Sequence, residues 1–190
     1  MFNWSIPCRE SGSNSGTFPL NYFEAETAIV NDAVIGKDTK IWHFANVYGC
    51  TIGESCTVGS YTEIQNDVYI GNNVIISSHS FICSLVEIGD DVFIGHGVMT
   101  INDLHPPSFR KTGSKKYWRK TLIKKGAVIG SNVTILPVTI GKNAEVGAGS
   151  VVTKDVPDHA LVIGNPGKIV GWVDKKGHRL EFDEEGMSVC

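Results

Sequence analysis

Along most of the chain an aliphatic side chain returns every sixth residue. The series runs Ile29, Ile35, Ile41, Val47, Ile52, Val58, Ile64, Ile70, Ile76, Ile82, Ile88 and Ile94, and resumes at Ile123, Ile129, Ile135, Ile140, Val146 and Val152. Gly follows the aliphatic at Gly36, Gly53, Gly59, Gly71, Gly89 and Gly95, and a small or β-branched residue sits four positions beyond it at Ala33, Thr39, Ala45, Thr62, Val68 and Val74. A period of six is not the 3.6 of a helix. β-branched residues between polar ones read as short strands. Asn31-Asp32, Asn66-Asp67, Asn72-Asn73, Asp90-Asp91 and Asn143 supply residue types that accept a positive φ at tight corners. Six residues per flat side and three sides per turn describe a triangular prism, in which each inward aliphatic stacks on the one about 18 positions away. The steps from Val47 to Ile52 and from Ile135 to Ile140 are five residues long, each missing one turn residue. The pattern predicts an all-β parallel solenoid, with Ile64, Ile82, Ile88 and Ile94 among the inward residues.

Three segments do not follow the repeat. Residues 1–22 are rich in Ser, Gly and Asn and read as a mobile N-terminal arm. Residues 101–121 interrupt the coil after Thr100, and a loop of that length in a compact solenoid is usually functional. Beyond residue 170 an alternating stretch, GWVDKKGHRLEF at 171–182, predicts a C-terminal strand or hairpin within 171–190 that caps the prism. The β-helix domain is thus expected over 23–170.

The 190 residues carry a net charge of −3, and a hydrophobic fraction of 42% argues against global disorder. No run approaches the roughly 18 apolar residues of a spanning helix, and Met1 to Leu20 lack a basic and then apolar leader. The expectation is a cytoplasmic protein without membrane insertion. The five cysteines form no CxxC pair and read as reduced, buried thiols rather than a disulfide framework.

Charge is unevenly spread. Between residues 101 and 125 stand Arg110, Lys111, Lys115, Lys116, Arg119, Lys120, Lys124 and Lys125 against one acid, Asp103. Such a loop on an acidic chain suits a polyphosphate better than nucleic acid, and the bland alternative is a solvated linker. Asp103, Arg110 and Lys111 are taken as substrate-binding candidates. Among the six histidines, His43, Ser60, Ser78 and His96 share one offset in successive coils, and His79 lies one offset later. His79 and His96 are therefore expected to be neighbours near the point where the loop leaves the coil.

These repeats, with GAGSVVTKDVP at 147–157 and GNP at 164–166, resemble the left-handed parallel β-helix acyltransferases of the hexapeptide-repeat family over about residues 24–170. The left hand comes from that resemblance, since general connection rules favour the right hand. VFIGHGVMTINDLHP at 92–106 is similar to the galactoside-type acetyltransferase segment in which a catalytic histidine precedes a proline, which implies that role for His105. IWHF at 41–44, EIQ at 63–65, SSHSFIC at 77–83 and IGHGVMTIND at 94–103 resemble more closely the nucleotide-linked 3-amino-sugar N-acetyltransferases. There the pattern Asn-Asp-x-x-Pro brings Asn102 forward.

The resemblance implies an acetyl-CoA-dependent N-acetyltransferase, a homotrimer with CoA between neighbouring prisms, acting on a nucleotide-linked amino sugar for surface polysaccharide biosynthesis. An amine attacking a thioester needs a base for the ammonium proton, which an ordinary imidazole near pKa 6.5 can supply at pH 7. His79, His96, His105 and Asn102 are the catalytic candidates, with Asn102 orienting the amine. The resemblance assigns Gly147, Ala148 and Gly149 to the pantetheine arm and Lys154 and Lys168 to the CoA phosphates. Alternatives are an O-acetyltransferase of galactoside or xenobiotic type, a non-catalytic scaffold, and a zinc hydratase of the γ-carbonic-anhydrase kind. The last needs two histidines five residues apart, which His79, His96 and His105 do not provide, so no metal is expected.

Overall fold

A computed structural model describes residues 21–109, 115–182 and 188–189. Two- and three-residue strands alternate with corners, and every third strand pairs in parallel with the one a full turn earlier. The result is a left-handed parallel β-helix with three flat faces. Face A carries Lys40–Ile41, Thr57–Val58, Ile75–Ile76, Phe93–Ile94, Val128–Ile129 and Glu145–Val146; face B carries Asn46–Tyr48, Glu63–Ile64, Phe81–Ile82, Met99–Thr100, Thr134–Ile135 and Val151–Val152. Face C carries Val34–Ile35, Thr51–Ile52, Tyr69–Ile70, Val86–Ile88, Thr121–Ile123 and Thr139–Ile140.

The inward residue of each strand meets its counterpart one coil away: Val47 pairs with Ile64 and Ile64 with Ile82, while Ile70 pairs with Ile88 and Ile88 with Ile123. Ile64, Ile82, Ile88 and Ile94 are completely buried, and each such side chain contributes about 1.5–3 kcal/mol of transfer free energy. At the corners small inward hydroxyls close on main-chain carbonyls, as when Thr39 Oγ1 donates to Gly53 O at 2.7 Å and Ser80 Oγ to Gly95 O at 3.0 Å. These bonds keep buried polar atoms paired. The glycine that follows the inward aliphatic reflects close approach: a Cβ on Gly95 would stand 2.6 Å from Ser131 N in the next coil.

The first coil departs from the expected phase. Ile29 is 62% exposed, and Val30 takes the inward ladder position opposite Val47. The period assigned Ile29, six residues before Ile35; the inward step from Val30 to Ile35 is instead five residues, like the step from Val47 to Ile52 in the next coil. The insertion also ends one residue sooner than expected, because Thr121 already pairs with Val86. The far end is closed by Lys168–Trp172, which folds back antiparallel on Ala160–Ile163. Trp172 packs against the last core residues, and His159 Nδ1 meets Val173 O at 3.0 Å.

Candidate active site

The corner joining face A to face B holds a column of functional side chains. Its rungs are linked by main-chain hydrogen bonds from one coil to the next: His79 N–H to Ser60 O at 3.0 Å, Gly97 N–H to Ser78 O at 3.0 Å, Asn132 N–H to His96 O at 2.7 Å and Gly149 N–H to Ser131 O at 2.8 Å. His79, His96 and the Gly147–Gly149 segment therefore share one edge of the prism. At about 4.8 Å per coil, His96 and Ala148 lie about 10 Å apart along it.

This edge departs from ordinary corner chemistry. On three successive coils the left-handed position is held by Phe44, Tyr61 and His79, with φ of 60°, 59° and 64°, before Gly97, Asn132 and Gly149 take it over; at the other corners it is mostly Asp, Asn, Ser or Gly, with Leu85 and His159 as exceptions. A residue with a Cβ costs roughly 1–2 kcal/mol there. The three rings stack in series, with centroids 4.9 Å apart for Phe44 and Tyr61 and 5.0 Å for Tyr61 and His79. Trp42, Gly59, Ser60, Ser78 and His96 line an open groove of ≈ 300 Å³ beside the column. The sequence reading placed the histidines in successive coils but missed the aromatic stack, whose signal was the bulky residue at each turn position.

Asn102, Asp103 and His105 occupy the opposite edge of face B, where the insertion leaves the coil. Asn102 Nδ2 donates to Ser84 O at 3.1 Å, Asn102 O accepts Arg119 N–H at 2.8 Å, and His105 N–H donates to Asp103 Oδ1 at 2.9 Å. His79 and Ser84 are five residues apart on one coil, so face B separates the two edges by at most about 18 Å. Within one chain the histidine pair thus does not sit at the root of the loop. A six-residue offset read on a line does not say which of three corners a residue occupies.

Between the edges lies a polar group not singled out residue by residue in the sequence reading. Tyr48 OH donates to Glu63 Oε1 at 2.9 Å, and Gln65 Nε2 donates to the same oxygen at 3.2 Å. Burial, then the hydrogen bond to Glu63, pushes the Tyr48 phenol above its ordinary value, which keeps it a donor.

The basic loop is less available than its composition implied. Lys115 pairs with Asp67, Lys120 with Glu87, Lys124 with Asp158 and Lys125 with Asp91, and the Lys116 ammonium lies 5.5 Å from the centre of the Tyr117 ring. Acids of the coil were far away in sequence and so were not counted against the loop. Arg110 and Lys111 lie outside the described residues.

Ala148 and Gly149 are exposed, and a Cβ on Gly149 would meet nothing within 4 Å, so the edge is open above their main chain. Lys154 stands exposed after Val151–Val152, and Lys168 opens the closing strand. Cys50, Cys56 and Cys83 are buried free thiols, and burial pushes Cys50 up to about 12. Among the described residues no three His, Cys, Asp or Glu side chains gather to hold a metal ion, and no helix is long and apolar enough to cross a membrane.

Residues 49–84 match the bacterial transferase hexapeptide (six repeats) family, and residues 121–154 match the hexapeptide repeat of succinyl-transferase. The bifunctional protein GlmU of Synechococcus sp. (strain CC9311) is 35% identical over 149 residues, covering 76% of this chain and 30% of that protein. GlmU of Fervidobacterium nodosum is 34% identical over 209 residues, covering 82% and 44%. The chain spans less than half the length of these curated relatives. A hexapeptide-repeat acetyltransferase of Vibrio cholerae O1 biovar eltor, solved with acetyl coenzyme A, is 28% identical with a TM-score of 0.58, over 66% of this chain and 72% of that one. AntD, an N-acyltransferase from Bacillus cereus solved in a mutant form with dTDP and coenzyme A, shares the fold at a TM-score of 0.62 and 22% identity, over 76% and 86%.

Proposed function

Because this chain belongs to the hexapeptide-repeat transferases, we propose that it is an acetyltransferase that uses acetyl-CoA to acetylate the amino group of a nucleotide-linked amino sugar, acting as a homotrimer. The observation that carries this reading is the shared corner column, which lines up His79, His96 and the side-chain-poor Gly147–Gly149 segment. The acetyl-CoA found with the Vibrio cholerae relative agrees with it.

The open main chain at Ala148 and Gly149 suits a pantetheine arm laid along the edge, with Lys154 and Lys168 as the cations for its phosphates. Acetyl-CoA supplies an activated thioester whose thiolate the acceptor amine displaces. The protein must hold that amine, take its proton and keep the reacting groups aligned. His79 takes the proton at a ring nitrogen, its plane held by Tyr61; His105 is the second base candidate. Asn102 orients the amine or an adjacent hydroxyl. Since His79 and Asn102 lie on opposite edges of face B in one chain, a complete site draws its two edges from neighbouring prisms in a trimer. Asp103, Arg110 and Lys111 are left to contact the nucleotide-linked sugar.

Thiol release from acetyl-CoA, measured against a panel of UDP- and dTDP-linked amino sugars and simple alcohols, tests the reading. Turnover with an amino-sugar nucleotide is expected. Turnover with alcohols alone would move the protein to the O-acetyltransferases, and failure of acetyl-CoA to bind would leave a scaffold.

A further inference from the structure

The polar groups that run along face B to the root of the insertion form a chain whose orientation is fixed by donor and acceptor count. The Glu63 carboxylate only accepts, and it receives Tyr48 OH and Gln65 Nε2. With its nitrogen so committed, Gln65 presents Oε1 to the next coil, where Ser84 N–H donates to it at 3.2 Å and Ser84 Oγ, whose one proton has a nearer acceptor, lies 3.4 Å away. Ser84 Oγ also meets Asn66 Oδ1 at 3.1 Å. The Ser84 carbonyl, an acceptor only, takes Asn102 Nδ2. Next to that carbonyl the Asn102 carboxamide has one orientation, nitrogen toward Ser84 and Oδ1 away. Among the described residues no donor meets Oδ1.

We propose that Glu63 and Gln65 are positioning residues that act through Ser84 to hold Asn102 with its Oδ1 presented to the acceptor amine. The proposal rests on the reading of Asn102 as the group that orients that amine. Gln65 lies two coils below Asn102, about 10 Å away at the spacing of parallel strands, so its effect is transmitted through Ser84. Two independent tethers converge on the neck of the insertion, since Arg119 N–H binds the Asn102 carbonyl while Ser84 holds its side chain.

The test compares kcat and KM for the parent, Asn102→Ala, Gln65→Leu and the double variant, using acetyl-CoA and the amino-sugar nucleotide that best supports thiol release. Gln65→Leu is expected to lower kcat up to about 10²-fold, the scale of an ångström-sized misplacement. KM for acetyl-CoA should not change, and no further loss should appear in the Asn102→Ala background. Gln65→Glu keeps the size but sets two carboxylates side by side, which a shared proton reconciles. It should therefore approach parent activity at low pH and fall away as pH rises, and this profile carries the test if Gln65→Leu does not fold. Parent-like rates in Gln65→Leu, or additive losses in the double variant, overturn the relay while leaving the role of Asn102 intact. If the parent turns over nothing in the panel, the acetyltransferase reading falls. The relay is then judged by solvent exchange of the Asn102 side-chain amide in NMR spectra, which Gln65→Leu is expected to accelerate; an unchanged exchange rate overturns it.

Discussion

The imidazole of His79 lies face to face with the ring of Tyr61, centroids 5.0 Å apart and planes within 8° of parallel. The contact holds the imidazole flat against the corner column. His79→Ala is expected to lower kcat/KM by about 10²–10⁴, the range for loss of a general base, and to remove the acidic limb of the pH–rate profile. Tyr61→Ala should cost less and leave that limb in place, because the imidazole remains but its plane is no longer held. An intact acidic limb and near-parent rates in both His79→Ala and His105→Ala would mean that the proton leaves by another route.

Ile82 sits fully buried, stacked on Ile64. Ile82→Asp places an unpaired charge in that column and should destabilise the fold by several kcal/mol, about 3 or more. The first coil offers the converse check. Ile29→Asn should be nearly silent and Val30→Asn measurably destabilising in urea titrations, because Val30 and not Ile29 holds the ladder position. Equal effects would restore the phase read from the sequence alone.

Burial that pushes the Cys50 thiol up to about 12, and raises Cys56 and Cys83, leaves almost no thiolate at neutral pH. In a Cys8→Ser, Cys190→Ser background the native protein should resist alkylation and react at three sites after unfolding. Rapid native labelling of Cys50 would contradict the buried placement.

The Asp158 carboxylate accepts the Lys142 N–H at 2.8 Å, and that bond, with Lys124 nearby, holds its pKa below the ordinary carboxylate range. A depressed folded-state value means that its contribution is complete above the ordinary pKa near 3.8 and is lost as pH falls through the folded value. The gap in urea midpoint between parent and Asp158→Asn should therefore be constant near neutrality and shrink as pH drops below about 4. A gap independent of pH would show that the side chain acts by shape alone.

The ion pairs of the insertion divide its cations into two groups. Lys115→Gln with Lys120→Gln should free the loop from Asp67 and Glu87 and lower kcat. Arg110→Gln with Lys111→Gln should raise KM for the nucleotide-linked sugar and weaken its salt dependence. An unchanged KM at low salt for the second pair would reduce that part of the loop to a linker.

A period of six is a one-dimensional property, and it determined the prism because each coil repeats the same local choices: an inward aliphatic, a glycine where the next coil approaches, a small residue at the corner. Ile64, Ile82 and Ile94 could be assigned inward before any coordinates. The same regularity put His79 and His96 on successive coils. Tertiary structure decided what repetition leaves open. At Ile29-Val30 the six-residue period pointed to Ile29, and only pairing with Val47 showed that Val30, five residues before Ile35, is the inward residue. The cations of the insertion looked unopposed until Asp67, Glu87 and Asp158, distant along the chain, were brought beside them. The relay from Glu63 through Gln65 and Ser84 to Asn102 joins three coils; Ser84 and Asn102 are one 18-residue coil apart and Gln65 and Ser84 are 19 residues apart, but that spacing is common to every stacked pair and does not say which polar side chains bond. The physical reason is the same in each case. Short-range pattern sets which way a side chain points, whereas the partners of outward polar groups depend on which coil lies above and which corner each segment turns, and those contacts exist only once the coils are stacked.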